Sequence, residues 1–303
     1  MKQTPSRPIL VMMSWRGGER LNRCLASIAE NTHQFSRIII SITSTPDSED
    51  MKIAELFKDK HPRVEVLCTT KELPTMEHQA FWVDYLQQSG ARPTDWIYWL
   101  AYDDELNTAG ITKIQQPDGS WPLELDTVYF GPWAMRHETP TQLWSESDKE
   151  DMPVWTSFPK GGPTRLPVLT WIKDQLDQPT YMQMSGSIIP FRNYLELRHG
   201  KPKKVGPMRI EMATALGRST EFVEELEEPV SIIYGRSNSD RATYGNAARK
   251  EDIHLLAWIA RYGSTHPKAI NDLFRITTGQ VRRQWWQRFR GAKPAREEWR
   301  VRQ

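Results

Sequence analysis

The chain has 303 residues, 38% of them hydrophobic, so it can bury the core of one large domain or of two small ones. Its 40 basic and 38 acidic residues leave a net charge of only +2, which excludes the strongly positive field typical of nucleic-acid-binding proteins. The two cysteines, Cys24 and Cys68, exclude a disulfide scaffold, and no segment approaches the roughly 20 apolar residues of a membrane span, so we expect a soluble, cytoplasmic protein with free thiols.

The first hundred residues alternate between strand and helix patterns. Nearly continuous apolar runs predict buried strands at residues 8–15, 37–44, 64–70 and 95–101. Apolar residues at helical spacing predict helices at residues 19–31, around 53–57 and at 75–90. Strands that alternate with helices predict a parallel sheet covered on both faces, and such sheets bind ligands at the carboxyl ends of their strands.

The alternation fades beyond residue 108. We predict a strand at residues 126–135, long loops at 138–170, a strand entering a short helix at 184–191, and a last strand at 230–234. Helices are predicted at 210–216, 222–226, 247–262 and 267–289. Core packing is the expected role of most tryptophans between residues 121 and 171, with one or two free to line a ligand site.

Three acids follow the fourth predicted strand, in the segment WIYWLAYDDEL at residues 96–106. Asp103 and Asp104 are oxygen ligands of the kind that Mg²⁺ and Mn²⁺ prefer, and Mg²⁺ commonly combines one or two carboxylates with substrate phosphates. Asp47, after the second strand, is expected on the same edge of the sheet. These residues predict a site for a divalent cation and a diphosphate, and a solvated acidic turn is the alternative.

The order of these motifs resembles the family 2 glycosyltransferases of the GT-A fold. The segments that carry the resemblance span roughly residues 8–244: PILVMMSWRGGERLNRCLASI, RIIISITSTPDSED, LAYDDEL, TYMQMSGSIIPFRNYLEL, PMRIEMATAL and PVSIIYGRSNSDRATY. The resemblance implies an α/β domain at residues 1–245 with a Rossmann-like, mostly parallel central sheet flanked by helices. Its nucleotide-sugar-binding half would be residues 1–107, its acceptor-side half 108–245, and residues 246–303 a basic, helical C-terminal extension.

The resemblance also implies a role for individual residues. The nucleotide-sugar would contact Ser14, Arg16, Asp47, Asp103, Arg236 and Arg241. Asp103, with Asp104 beside it, would bind Mn²⁺ or Mg²⁺, and Glu211 would be the catalytic base. The implied reaction is inverting transfer of a hexose from a nucleotide-sugar, a UDP-sugar being the expected donor, to a carbohydrate or lipid-linked acceptor in surface glycan synthesis.

Two departures from the family pattern keep other functions open. Ala101 stands where the common pattern LDSDDEL has its first acid, and the loop at residues 236–241 has arginines where the family often has a histidine. Arginine can neutralise phosphate directly through its forked donors. The alternatives are a non-catalytic binding or scaffold protein, favoured by Ala101, and a sugar nucleotidyltransferase, whose Gly-rich loop the segment RGGERL at residues 16–21 loosely resembles.

The C-terminal tail is basic and aromatic. Residues 280–303 contain eight Lys/Arg and two Glu, together with Trp285, Trp286 and Phe289. This pattern suits peripheral contact with an anionic membrane at its cytoplasmic face, and equally a helix docked on the catalytic domain with its aromatic side chains buried. The near-neutral charge of the whole chain makes nucleic acid a poorer partner.

Overall fold

The structure is a computed structural model that describes residues 7–73, 75–138, 154–156, 158, 162–168, 170–171, 184–199, 220–236 and 301–302. Its helices are α1 (Glu19–Ala29), α2 (Glu49–Lys58), α3 (Thr75–Gln88), α4 (Thr108–Ile114) and α5 (Phe191–His199). Its strands are β1 (Ile9–Ser14), β2 (Arg37–Ile42), β3 (Val64–Cys68), β4 (Trp96–Ala101), β5 (Glu105–Leu106), β6 (Thr127–Phe130), β7 (Trp133–Glu138), β8 (Val154–Trp155), β9 (Arg165–Pro167), β10 (Ser187–Pro190), β11 (Phe222–Glu225), β12 (Ser231–Arg236) and β13 (Val301–Arg302).

The larger sheet has eight strands in the order β3-β2-β1-β4-β10-β6-β11-β9. Strands β3, β2, β1 and β4 are parallel, and the register places Met12 beside Ile40 on one side and Leu100 on the other. Strand β10 runs antiparallel to both β4 and β6. The four strands predicted in the first hundred residues are thus confirmed, and so is their parallel arrangement.

Helices cover both faces of this sheet. Side chains of β1 alternate between the faces, with Val11 and Met13 packing among residues of α3 and α5, and Leu10 and Met12 among residues of α1, α2 and α4. Every residue of β1 is buried, because helices cover the sheet on both of its faces. The predicted α/β class, with a mostly parallel central sheet flanked by helices, is confirmed.

A smaller sheet lies beyond the carboxyl end of β4. Its five strands run in the order β13-β8-β7-β12-β5, with β12 parallel to β7 and antiparallel to β5. Glu105 of β5 pairs with Ile232 of β12. The acids that follow β4 therefore lie against β12.

Three predictions were wrong in type or extent. The long loops predicted at residues 138–170 contain β8 and β9, because these short segments pair with β7 and β11. The single strand predicted at residues 126–135 is divided into β6 and β7, which belong to different sheets. Gly131 and Pro132 separate them, and a proline cannot donate a ladder hydrogen bond. The helix predicted at residues 222–226 is strand β11, because pairing with Thr127–Phe130 and Arg165–Pro167 overrides its weak helical periodicity.

Other predictions concern residues outside the described ranges. They include the helices at 210–216, 247–262 and 267–289, the domain boundary at residue 245, and nearly all of the C-terminal extension, of which only Val301–Arg302 is described. Cys24 and Cys68 are free thiols, as predicted, although Cys68 is only half-buried. Among the described helices, none is both long enough and apolar enough to cross a lipid bilayer.

The tryptophans that the structure describes support the expected core packing. Trp121, Trp133 and Trp171 are all buried, and Trp171 stacks on Phe130 with 5.0 Å between the ring centroids. Buried aromatic side chains of this size contribute heavily to core stability. These three rings are not available as exposed sugar-stacking platforms.

Candidate functional site

The loops that follow β1, β2 and β4 meet at one edge of the larger sheet, because these strands are parallel neighbours. This edge carries the residues predicted from the sequence to bind a ligand: Ser14 and Arg16 after β1, Asp47 after β2, and Asp103 and Asp104 after β4. The topology therefore brings these five residues to the same side of the sheet.

The loop after β1 is held by the carboxylate of Asp50, in the first turn of α2. Its Oδ2 accepts hydrogen bonds from the Ser14 hydroxyl at 2.7 Å and from the Gly17 N–H at 2.9 Å, while Oδ1 accepts from the Gly18 N–H at 2.9 Å. Asp50 is only 3% exposed. The buried carboxylate thus fixes the conformation of the loop, and the Ser14 hydroxyl donates to it.

The same loop has a restricted backbone and presents two side chains outward. Arg16 and Gly18 have φ of 52° and 49°, a region that residues other than glycine rarely adopt. Trp15 is 48% exposed, and the Arg16 guanidinium lies 5.1 Å from its ring centroid and forms an ion pair with Glu72 at 2.9 Å. Hydrogen bonds from Arg16 and Trp15 lower the pKa of Glu72.

Asp47 lies on the exposed part of the loop between β2 and α2. A hydrogen bond from the Thr45 hydroxyl lowers the pKa of its carboxyl, so the group is ionised at neutral pH. An exposed carboxylate at this edge is free to contact a ligand.

We define the acid turn as residues 101–105. Its two aspartates differ in burial and in hydrogen bonding. Asp103 is partly exposed, whereas Asp104 is 4% exposed and accepts hydrogen bonds from the Tyr234 N–H at 3.2 Å and from the Ser185 hydroxyl. Burial, together with the charge of Asp103, raises the pKa of Asp104 well above its ordinary value. Asp104 is thus engaged with the protein interior, and Asp103 is the aspartate of the turn with an exposed surface.

Glu105 belongs to a cluster of charged and aromatic groups. The Nε of Arg23 lies 3.3 Å from Glu105 Oε1, and the Tyr234 hydroxyl donates to the same oxygen. The Arg23 guanidinium lies 3.6 Å from the Tyr234 ring centroid and donates from Nη2 to the carbonyl oxygen of Asp103 at 3.0 Å. This cation offsets part of the negative charge that the acid turn places beside the core.

The turn that enters β10 packs against the end of β4. The Ser185 hydroxyl accepts from the Ala101 N–H at 3.1 Å, so it bridges the first and fourth residues of the acid turn. Gly186 has φ of 85°, and a Cβ there would lie 2.7 Å from Ser231 Oγ. The small residues of the segment MSGS therefore allow three strands to approach at this point.

Three predicted site residues have no described side chain. Glu211 and Arg241 lie outside the described residues. Arg236 ends β12, where its backbone pairs with Glu138, and its side chain is not described. Their predicted roles stay predictions.

A divalent cation at this edge would need coordinating oxygens from a bound substrate in addition to those of the protein. Within the part of the chain that the structure describes, no group of three or more His, Cys, Asp or Glu side chains is arranged to hold a metal ion. Asp103 offers one partly exposed carboxylate, Ala101 offers none, and Asp104 is engaged elsewhere. The donor set suits an ion that takes its remaining ligands from substrate phosphates and water, as Mg²⁺ often does.

Sequence reasoning missed Asp50, Arg23 and Tyr234 as parts of this edge. Asp50 had the pattern of an ordinary acid in the first turn of a helix, where the helix dipole favours negative charge. Arg23 and Tyr234 contact the acid turn from α1 and β12, and the alternation of elements does not reveal such side-chain contacts.

The chain is similar to known proteins in its structure and not in its sequence. No protein-family model matches the sequence, and a search of curated proteins finds no match. Among solved structures, TarS 1–349 of S. aureus superposes with a TM-score of 0.51 at 9% identity, covering 84% of this chain and 65% of that one. The same TarS segment has also been solved in complex with UDP-GlcNAc, again with a TM-score of 0.51 and 9% identity, covering 84% of this chain and 66% of that one.

A second neighbour is the mannosyltransferase PcManGT of Pyrobaculum calidifontis, in complex with GDP-Man and Mn²⁺. It superposes with a TM-score of 0.52 at 9% identity, covering 92% of this chain and 76% of that one. The chain thus spans 65% of the TarS 1–349 chain and 76% of the PcManGT chain. At this level of identity the likeness establishes the fold, which is the GT-A-like α/β architecture predicted from the sequence.

Proposed function

We propose that this protein is a glycosyltransferase that uses a nucleoside-diphosphate-sugar donor. The observation that carries the proposal is the acid turn at the carboxyl end of β4, where Asp103 is partly exposed, in a fold shared with proteins solved with UDP-GlcNAc and with GDP-Man and Mn²⁺. Within this proposal the enzyme is an inverting hexosyltransferase of family 2, with a UDP-sugar as first donor. The acceptor would be a carbohydrate or a lipid-linked glycan of surface polysaccharide synthesis.

The donor would lie across the loops after β1, β2 and β4. Asp47 would contact the nucleoside, Arg16 and the backbone of its loop the diphosphate, and Asp103 a divalent cation shared with that diphosphate. Mn²⁺ or Mg²⁺, when bound, would neutralise charge on the departing diphosphate. Ser14 donates to Asp50, and Asp104 accepts from the Tyr234 N–H, so we give both residues supporting roles and propose the partly exposed Asp103 as the metal ligand.

The proposed chemistry uses one general base. Glu211 would accept the proton of the acceptor hydroxyl, whose oxygen then forms a bond to the anomeric carbon. The bond from that carbon to the diphosphate breaks, and the electron pair leaves with the nucleoside diphosphate. Arg236 and Arg241 would neutralise the departing charge through their forked donors. General-base assistance contributes about 10²–10⁴-fold to such reactions, so Glu211→Gln should lose that factor in turnover and keep donor binding.

The test is a donor screen that measures released nucleoside diphosphate from UDP- and GDP-sugars. Glu211→Gln is compared with Glu221→Gln, a matched change at an exposed glutamate. The proposal expects release by the wild type and by Glu221→Gln, with a loss of about 10²–10⁴-fold in Glu211→Gln. Release from no donor contradicts the proposal. Pyrophosphate formation from a nucleoside triphosphate and a sugar phosphate would favour the nucleotidyltransferase alternative.

A second candidate is a non-catalytic nucleotide-binding or scaffold protein. It is favoured by Ala101 and by the burial of Asp104, which leave Asp103 as the partly exposed aspartate of the acid turn. A scaffold that has lost its metal site should bind UDP equally with and without Mn²⁺, or not at all. A glycosyltransferase of the proposed kind should bind UDP more tightly with Mn²⁺, so a calorimetric titration separates the two.

The basic tail at residues 280–303 keeps its two proposed roles, contact with an anionic membrane or docking on the domain of residues 1–245. Sedimentation with vesicles of phosphatidylglycerol and phosphatidylcholine at low and high salt distinguishes them. Membrane contact predicts salt-sensitive binding to the anionic vesicles, because each basic residue near the surface contributes about 1 kcal/mol. A docked helix predicts no binding to them.

A further inference from the structure

A cluster of three side chains supports the acid turn from behind. It consists of Arg23 of α1, Glu105 of β5 and Tyr234 of β12, and we call it the Arg23 cluster. The Nε of Arg23 lies 3.3 Å from the Glu105 carboxylate, and its guanidinium stacks 3.6 Å from the Tyr234 ring centroid. The Tyr234 hydroxyl donates to Glu105. Each member contacts the other two, so the three side chains form a closed unit.

This cluster joins the parts of the molecule that would surround a bound diphosphate. Arg23 Nη2 donates to the carbonyl oxygen of Asp103 at 3.0 Å, and so it holds the backbone of the partly exposed aspartate. The Tyr234 N–H donates to Asp104 Oδ1 at 3.2 Å. Tyr234 lies two residues before Arg236, at the end of β12. The cluster therefore links the acid turn to α1 on one side and to β12 on the other.

Arg23 is suited to this position because it is charged, planar and only partly buried. Its side chain is 32% exposed and that of Glu105 14% exposed, which leaves the pair partly shielded from bulk water. A guanidinium can donate in a fixed fork while its face stacks on an aromatic ring, which a lysine cannot reproduce. The Arg23 guanidinium therefore places a fixed positive charge beside the three acids of the acid turn.

The chain contains a near-copy of this cluster at the opposite edge of the sheet. Arg37, the first residue of β2, pairs with Glu65 through Nε at 2.7 Å and Nη2 at 2.8 Å. The Tyr85 hydroxyl donates to Glu65 at 2.5 Å, and the Arg37 guanidinium lies 5.9 Å from the Tyr85 ring centroid. This second cluster has the same three residue types and is also partly buried, but it lies away from the acid turn, so it is an internal control.

We propose that Arg23 is a positioning residue for ligand binding, acting through the main chain of Asp103 and through β12. Arg23 itself touches no reacting atom in this role. We expect that its loss lets the acid turn and the end of β12 move relative to each other. The inference rests on the proposed function, because it states that Arg23 contributes to the affinity of the proposed donor site for a nucleoside diphosphate.

The experiment compares Arg23→Met with Arg37→Met, each of which removes the charge and keeps an apolar stem. UDP is titrated in the presence of Mn²⁺, and amide hydrogen exchange is measured over residues 101–106 and 231–236. Residues that orient metal ligands from behind typically contribute about 10–100-fold to affinity or activity. We expect a loss of that size, with faster exchange in both segments, for Arg23→Met, and wild-type affinity for Arg37→Met. Arg23→Lys should recover part of the affinity, because the charge returns without the fork.

The outcomes separate this inference from the proposed function. Wild-type protein that binds neither UDP nor GDP overturns both. Wild-type binding with equal affinity in Arg23→Met and Arg37→Met overturns the inference alone, and equal falls in thermal stability would then give both arginines a purely structural role. If Arg23→Met fails to fold, the UDP titration is made with Tyr234→Phe and Arg23→Lys instead. Wild-type affinity for UDP in both of these variants would contradict the role of the cluster.

Discussion

Removing the Asp50 carboxylate is expected to destabilise the protein and loosen the loop after β1. Asp50 accepts three hydrogen bonds, from the Ser14 hydroxyl and from the Gly17 and Gly18 N–H groups. Asp50→Ala leaves all three donors without this acceptor, at a position that is 3% exposed. Asp50→Asn keeps one oxygen but directs an amide at a donor.

The size of the effect follows from these contacts. A hydrogen bond to a charged group contributes about 1.5–3 kcal/mol, and a buried donor left without a partner costs about 1–3 kcal/mol. The three bonds share one carboxylate and are not additive, so we expect Asp50→Ala to lower the free energy of unfolding by roughly 3–5 kcal/mol. Asp50→Asn should lose roughly 2–3 kcal/mol, because one acceptor remains.

Urea unfolding followed by circular dichroism measures these differences. The matched control is Asp118→Asn, since Asp118 also accepts from a backbone N–H and a hydroxyl, both of Ser120, but on an exposed turn. The control should stay close to wild type. A loss of less than about 1 kcal/mol in Asp50→Ala would refute the assignment, because one net hydrogen bond is worth that much.

Three further predictions concern other parts of the fold. Gly110→Ala would place a Cβ 1.9 Å from the carbonyl oxygen of Pro229, so thermal unfolding should show a loss of about 1–3 kcal/mol, and an unchanged transition would contradict that contact. Burial lowers the pKa of His78 from 6.5 to about 4, so its neutral form stabilises the fold above pH 6.5, and about 3 kcal/mol is lost as the pH falls toward 4. His78→Gln should flatten the pH dependence of unfolding in that window, and an unchanged slope would contradict this. Ala101→Asp should lower the Mn²⁺ concentration needed for UDP binding, measured by calorimetry, because it adds a carboxylate to the acid turn beside Asp103; an unchanged requirement would count against a metal site there.

The parallel half of the sheet could be predicted because its strands are buried on both faces. Every residue of β1 is apolar or small, and the helices between the strands carry clear apolar stripes such as Leu21, Cys24, Leu25 and Ile28 of α1. Parallel neighbours then fix which loops share an edge. The grouping of Asp47 with the acid turn followed from topology alone.

The second half was harder to predict because pairing partners decide it. The segment FVEE of β11 has two buried and two half-buried residues in alternation, yet two acids and a neighbouring leucine also fit a helix turn. Only its partners, β6 and β9, fix it as a strand. At the break between β6 and β7, Gly131 packs closely on Val230, whose side chain would lie 2.5 Å from a Cβ at that position.

The differing roles of Asp103 and Asp104 could not be predicted from the sequence either. The two residues are adjacent and chemically identical, and both are plausible ligands from their spacing alone. The difference arises from the Tyr234 N–H and the Ser185 hydroxyl, which come from segments more than 80 residues away along the chain and donate to Asp104. Long-range hydrogen bonds of this kind become visible only when the strands are assembled.

The most direct test of the central claim is a calorimetric titration of UDP with and without Mn²⁺, on the wild type and on Asp103→Asn. If Asp103 binds a cation shared with the diphosphate, wild-type protein should bind UDP more tightly with Mn²⁺, and Asp103→Asn should abolish that gain. Equal UDP affinity in all four titrations would contradict the role given to the acid turn.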